Sequence, residues 1–263
     1  MKNIFAICSK ELRVYLTTWT SYILFGAFIL ISAFFFQRLV VEFWLQSTQM
    51  SQQGHGMLDQ MNLTDWVMGP LFMNITVFFL FLLPILTMRL LAEERKSKTL
   101  ELLMTVPIRP VEIVLGKYFA ALAIMMLMLL LTVVFPVLLH VFGETTGSES
   151  ALDWRSVGVG YAGLFLLGAA FVSVGLFASS ITDSQIVAVV VSFAALLMFY
   201  VIGLASRGEE GFWQQFFDYL SITNHLESFV RGIVRSTDVV YYLSLTFIGL
   251  FLSYRMVEAE RWR

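Results

Sequence analysis

Cysteine is nearly absent from this chain: Cys8 stands alone. An intramolecular disulfide and a metal site built from several thiolates are therefore excluded, and Cys8 reads as a free structural thiol. Histidine is scarce as well. His55, His140 and His225 fall outside the apolar stretches or at their edges, and no His-Glu-x-x-His pair occurs, so a zincin-type metal site has no ligands. The phosphate-binding run Gly-x-x-x-x-Gly-Lys-[Ser/Thr] is also missing, because Gly116-Lys117 is followed by Tyr118 and lacks the earlier glycine. If ATP is used, another chain must hydrolyse it. Charged residues make up 14% of the sequence, against about 25% in soluble domains. The net charge of −2 gives no electrostatic case for nucleic acid. Residues 1–20 do not read as a cleavable leader, since Lys10, Glu11 and Arg13 interrupt the apolar core that a leader needs.

What the chain has in excess is apolar surface: 58% of its residues are hydrophobic, with 25 phenylalanines. A single aqueous core cannot hide that much, and a bilayer is the solvent that fits. Six stretches are long enough to cross about 30 Å of hydrocarbon at 1.5 Å per residue. They run over 21–41, 69–88, 117–142, 157–179, 185–205 and 239–254, the last being short and interrupted by Ser244, Thr246 and Ser253. Strand-like alternation is lacking, and backbone amides in lipid must be satisfied within the segment, so the fold class is all-α integral membrane. With no internal repeat and no linker, residues 1–263 read as one transmembrane domain.

Lysine and arginine set the expected orientation. A cytoplasmic N-terminus places Lys2, Lys10, Arg13, Arg89, Arg95, Lys96, Lys98, Arg109, Lys117, Arg255, Arg261 and Arg263 inside, and Arg38, Arg155, Arg207, Arg231 and Arg235 outside. The split of 12 against 5 favours both termini in the cytoplasm, with the chain in the inner cell membrane. The spans carry neutral polar groups such as Asn74, Thr76, Ser173 and Ser192, with Glu42, Arg89 and Asp183 at their edges. A proton- or sodium-driven pump needs ionisable groups at depth, so the energy is expected to come from outside the chain.

Three segments lie outside the spans. Residues 1–18 form an amphipathic interfacial helix, with Lys2, Lys10 and Arg13 on one arc and Ile4, Phe5, Ile7 and Leu12 on the other. Glu11 falls inside the apolar arc, which fits snorkelling, a local salt bridge or a contact with another protein surface. Residues 89–114 form a charged loop in which Thr99 can cap a short helix with Glu101 in its first turn, an apolar face of Leu100, Leu103 and Met104, and Pro107 as its stop. Such a helix can dock in a partner's groove, and an ordinary solvated loop fits the composition equally well. Residues 206–238, crowded with Phe212, Trp213, Phe216, Phe217 and Tyr219, read as short interfacial or re-entrant helices before the last span. Within the spans, Gly168, Ala169, Ser173 and Gly175 point to close helix packing, and Pro84 and Pro136 to kinks.

The run from Leu91 to Tyr118 resembles the signature of ABC-2-type transporter permeases. Members typically read Glu-x-x-x-Gly-Thr-Leu-Glu-x-Leu-Leu, then Pro, then Gly-Lys entering the third span. Here Glu94, Thr99, Leu100, Glu101, Leu103, Pro107 and Gly116-Lys117 fit, and Lys98 stands where glycine is usual. Lys10-Glu11-Leu12 resembles the Lys-Glu-Leu of the family's N-terminal helix. Within the family the likeness is to gliding-associated and copper-operon permeases.

The resemblance implies a permease subunit of an ATP-driven exporter that is not itself an enzyme. Two such subunits, identical or related, would pair above cytoplasmic ATPase subunits that bind the ATP and Mg. Membrane lipids and an accessory envelope protein are further expected partners. It also assigns an ATPase-coupling role to Glu93, Glu94, Arg95, Thr99, Leu100, Glu101, Leu103 and Pro107, flanked by Glu11. Trp213, Phe216, Phe217 and Tyr219 map to an exit gate. Two competing readings are a non-transporting scaffold of a surface machine such as a gliding apparatus, and a membrane hydrolase using Glu93-Glu94. For the latter, the Glu-Glu-x-x-x-Arg pattern ends in Lys98 and the histidines lie on the wrong side.

Overall fold

The computed structural model describes residues 2–53, 63–99, 108–142, 152–205 and 217–260. These residues are helical almost throughout and contain no strand, as the apolar runs require when no water is present to satisfy a broken backbone. The helices are α1 (Lys2–Thr17), α2 (Trp19–Gln53), α3 (Gly69–Thr87), α4 (Arg89–Lys96), α5 (Pro110–Thr132), α6 (Val134–Phe142), α7 (Trp154–Ile181), α8 (Gln185–Ala205), α9 (Ile222–Val230) and α10 (Ser236–Glu260). A π-helical turn, Thr64–Met68, leads into α3. Six helical segments are long and apolar enough to cross a membrane, and the chain is a multi-pass membrane protein.

Helix α7 is the axle of the bundle and packs against α3, α5, α8, α9 and α10. Its small residues make this possible. A Cβ on Gly168 would stand 2.1 Å from Met125 Sδ, and one on Gly175 would stand 2.1 Å from Thr87 Oγ1. The clustered glycines and alanines thus do what their pattern predicts, letting several helices approach one. By contrast α2 leaves Trp19, Tyr22, Ile23, Leu30, Phe34 and Trp44 on the surface, an apolar face suited to lipid or to another helix.

The two span prolines act differently. Pro136 lies three residues past a break at Val133, between α5 and α6, as expected where its ring crowds the carbonyl four residues back. Pro84 sits inside an unbroken α3. The break after that helix comes at Met88, where the Ser179 hydroxyl donates to the Met88 carbonyl at 2.9 Å and accepts from the Leu91 and Ala92 amides at 3.0 Å. One side chain of α7 therefore satisfies the backbone groups that the α3–α4 break would otherwise orphan.

Three boundaries differ from the sequence expectation. The first span does not stop at residue 41, since α2 runs from Trp19 to Gln53. The last span is not short: α10 runs 25 residues from Ser236 to Glu260. Its charged ends hide its length from hydropathy, because they are paired by neighbouring elements. The third span begins at Pro110 rather than near Lys117, which puts Lys117 within the helix, 2% exposed. Nor does α1 only skim a surface. It packs along α5, with Ile4 and Ile7 closing on Gly116 so tightly that a Cβ there would meet Ile7 at 2.8 Å.

Candidate functional site

The functional cluster grows from a conflict in the sequence. Lys117 is a cation in an apolar helix, and Glu11 is an anion on the apolar face of another. Each is costly to bury alone. The fold resolves both by bringing them together: Lys117 Nζ lies 3.0 Å from Glu11 Oε1 and 2.9 Å from Glu94 Oε1. Lys10 closes the group at 3.7 Å from Glu94 and 3.9 Å from Glu11, its own side chain remaining exposed. Three helices that are remote in sequence, α1, α4 and α5, are thereby pinned at one ammonium. Glu11 thus has an intramolecular partner of opposite sign, on a helix remote in sequence.

Around this clamp the contacts continue. The Tyr15 hydroxyl donates to the Leu86 carbonyl at 2.6 Å, and the Arg89 guanidinium lies over the Tyr15 ring at 4.3 Å. Burial pushes the Tyr15 hydroxyl far above its ordinary pKa, so it stays a donor. Asn3 Nδ2 donates to Glu112 Oε2 at 3.0 Å, while the same carboxylate accepts from the Arg109 amide at 3.1 Å, capping α5. On the other flank of α4, Arg95 pairs with Glu260 at the end of α10 and lies 3.9 Å from Asp183 between α7 and α8. Helix α4 is thus gripped by ionic contacts on two sides, while Leu90, Leu91 and Ala92 seat it in the core.

The chain then leaves α4 by an unusual turn. The Ser97 amide donates to the Glu93 carbonyl and the Lys98 amide to the Arg95 carbonyl, both at 3.0 Å. Lys98 adopts φ +57°, the only positive φ at a non-glycine among the described residues. A left-handed residue after a helix redirects the chain, and glycine does so without steric cost. The departure from the family pattern therefore falls on a position where the backbone conformation explains why glycine is usual. The Thr99 hydroxyl bonds with the Ser97 hydroxyl at 2.8 Å. Glu93 and Thr99 are exposed and line, with Lys10, Glu11, Arg89, Glu94 and Lys117, a cleft of about 270 Å³. Glu94 Oε2 and Arg89 Nη2 are buried without a hydrogen-bond partner among the described residues.

Of the sequence-based coupling set, Glu11, Glu94 and Arg95 are engaged in the ion pairs, and Glu93 and Thr99 border the cleft. Leu100, Glu101, Leu103 and Pro107 lie outside the described residues, as do Trp213 and Phe216 of the exit-gate set. Phe217 is half-buried and Tyr219 exposed at the far end of the bundle. There the Tyr219 carbonyl accepts from His225 Nε2 at 2.9 Å, and His225 Nδ1 lies 2.7 Å from Asp238 Oδ1. The imidazole stacks on Tyr241, with centroids 4.1 Å apart, while the Tyr241 and Tyr242 hydroxyls donate to the Leu220 and Ile222 carbonyls. These contacts bolt residues 219–225 to the start of α10.

Sequence reasoning missed Lys117, Asp183, Glu260 and Ser179 as members of the site. The available signal was the pair of misfits: a lysine entering an apolar run and a glutamate on an apolar arc, each needing a partner of opposite sign. Comparison with curated proteins gives no match. The family model described as ABC-2 family transporter protein matches residues 5–258. That span takes in the clamp, the break at Met88, the left-handed turn and all six apolar helices, and on it the chain belongs to the ABC-2 family of transporter proteins.

Proposed function

We propose that this chain is the permease subunit of an ATP-driven exporter, working in the inner cell membrane with α1, α4 and both termini on the cytoplasmic side. Residues 1–263 act as one transmembrane domain. Two copies, or one copy and a related chain, pair above two ATPase subunits that supply the ATP and Mg sites. Residues 100–107 form the coupling helix: Leu100 and Leu103 enter the ATPase groove, Glu101 stabilises the first turn and Pro107 ends it. Trp213, Phe216, Phe217 and Tyr219 form the exit gate, and an accessory envelope protein receives the cargo beyond it.

The single observation that carries this reading is the Lys117–Glu11–Glu94 clamp. It ties the interfacial helix, the helix that delivers the chain to residues 100–107, and the third span into one body. A push on the coupling segment therefore cannot be absorbed by α4 alone. It moves α1 and α5 together, and through the Arg95 contacts it also reaches α10 and the α7–α8 junction. Coupling of this kind needs a discrete packed unit that both the ATPase and the gate can bias.

The test is affinity purification of the tagged, full-length chain from membranes of its own cell. Recovery of a stoichiometric ATPase carrying a phosphate-binding Gly-Lys-[Ser/Thr] motif supports the reading. Recovery of a stable chain without any nucleotide-hydrolysing partner overturns it.

A further inference from the structure

At the end of the bundle opposite α1, a cavity of about 890 Å³ opens between the start of α3, the end of α8, and α9. It is lined by Asp65, Asn74, Tyr200, Asn224, Glu227 and Arg231 over an apolar floor. The π-helical turn at Thr64–Met68 explains how two of these groups come to share it. Asp65 and Asn74 are nine residues apart, which at about 100° per residue would put them on opposite faces of an uninterrupted α-helix. The wider i→i+5 turn delays the rotation, and both line the same space. π-turns of this kind recur at functional sites.

The polar groups are not consumed by the fold. The Asn74 amide, inside the second span, makes no hydrogen bond and the Asp65 carboxylate no ion pair among the described residues. Asn224 spends its amide Nδ2 on Asp218 at 3.0 Å, which leaves its carbonyl oxygen as an acceptor. Glu227 and Arg231 pair with each other on the rim and cancel in charge. The remaining charge is the single negative one on Asp65, beside amide oxygens and the Tyr200 ring, whose face attracts cations. A polar group kept within an apolar span is costly unless it is used.

We propose that this cavity binds an amphiphile with an ammonium headgroup, the head held by Asp65, Asn74 and Asn224 against Tyr200, and the tail leaving toward the lipid-facing surface. The inference rests on the permease reading only in making this amphiphile a cargo. Binding itself needs no ATPase, so the two stand or fall separately.

The experiment uses the full chain alone in a nonionic maltoside detergent, which carries no ammonium group, titrated with a spin-labelled alkylammonium and with the alkyl carboxylate of the same chain length. The immobilised fraction is read by electron paramagnetic resonance. The ammonium probe is expected to bind at least about fivefold more tightly than the carboxylate. Asp65→Asn should remove most of that preference, and Asp65→Lys should invert it. Asp65 is exposed, so both variants should fold. Asn74→Leu should weaken the ammonium probe alone. Equal binding of the two probes, or a preference unchanged by both Asp65 variants, would overturn the proposal.

Discussion

Glu11 and Lys117, separated by 106 positions in the sequence, meet at 3.0 Å in a place where the lysine is almost completely buried. Neither residue suits its own helix, and each is the reason the other is tolerated. Burying an ammonium is costly by several kcal/mol, and the second carboxylate, Glu94, supplies what one partner leaves unmet. The clamp is therefore a device of position more than of stability: it specifies how α1, α4 and α5 sit relative to one another.

Removing the lysine alone should be severe. Lys117→Met leaves the two carboxylates with only the exposed Lys10, at 3.7 and 3.9 Å, in place of their buried cation, and a loss of about 3 kcal/mol is expected. Adding Glu11→Gln and Glu94→Gln should restore part of it, because the uncompensated charges go too. Thermal unfolding in detergent, run as a mutant cycle, gives the answer. Additive losses across the three sites would show that the pairs carry no mutual energy.

Lys98 offers the opposite sign. Its left-handed backbone costs a non-glycine residue about 1 kcal/mol, so Lys98→Gly should stabilise the chain by roughly that amount. Lys98→Val, with a branched Cβ, should destabilise it by more. A melting series on the two variants would contradict the account if glycine lowered the midpoint.

His225 and Asp238 close the far end of the bundle. His225→Phe removes the donor while leaving the Asp238 carboxylate buried, and should cost about 2–3 kcal/mol. The double change His225→Phe with Asp238→Leu should lie closer to the native stability than the single one, since the buried carboxylate is gone and only the Tyr219 carbonyl loses its imidazole partner. A double variant less stable than the single one would show that the pair is not what holds α9 to α10.

Much of this architecture was legible in the sequence. Apolar runs fix helices in lipid because no other backbone solution exists there, so six spans could be placed, although α2 and α5 overrun their apolar runs by several residues. The full length of α10 could not. Glu260 extends it past the apolar stretch, and its partner Arg95 lies 165 positions away. Lys117 was misplaced for a related reason: hydropathy treats a lysine as an end, whereas two carboxylates from other helices let this one lie inside. The break at Val133 was readable from Pro136, a local cause. The continuous helix at Pro84, and the break displaced to Met88, depended on Ser179 from a different span. Glu11 was visible as a misfit, although only the fold could tell whether its partner was internal. The αL turn was foreshadowed by the position at which Lys98 replaces the usual glycine.

The central claim is that work done on residues 100–107 by a separate ATPase enters the bundle through the clamped body of α1, α4 and α5. The rate of ATP hydrolysis by the purified complex, compared between the native chain and Leu103→Asp, tests it most directly. A charge placed on the docking face should cost several kcal/mol at the interface, so stimulation of hydrolysis by the permease should fall at least about tenfold while the permease itself remains folded. Stimulation at the native level with Leu103→Asp in place would contradict the account.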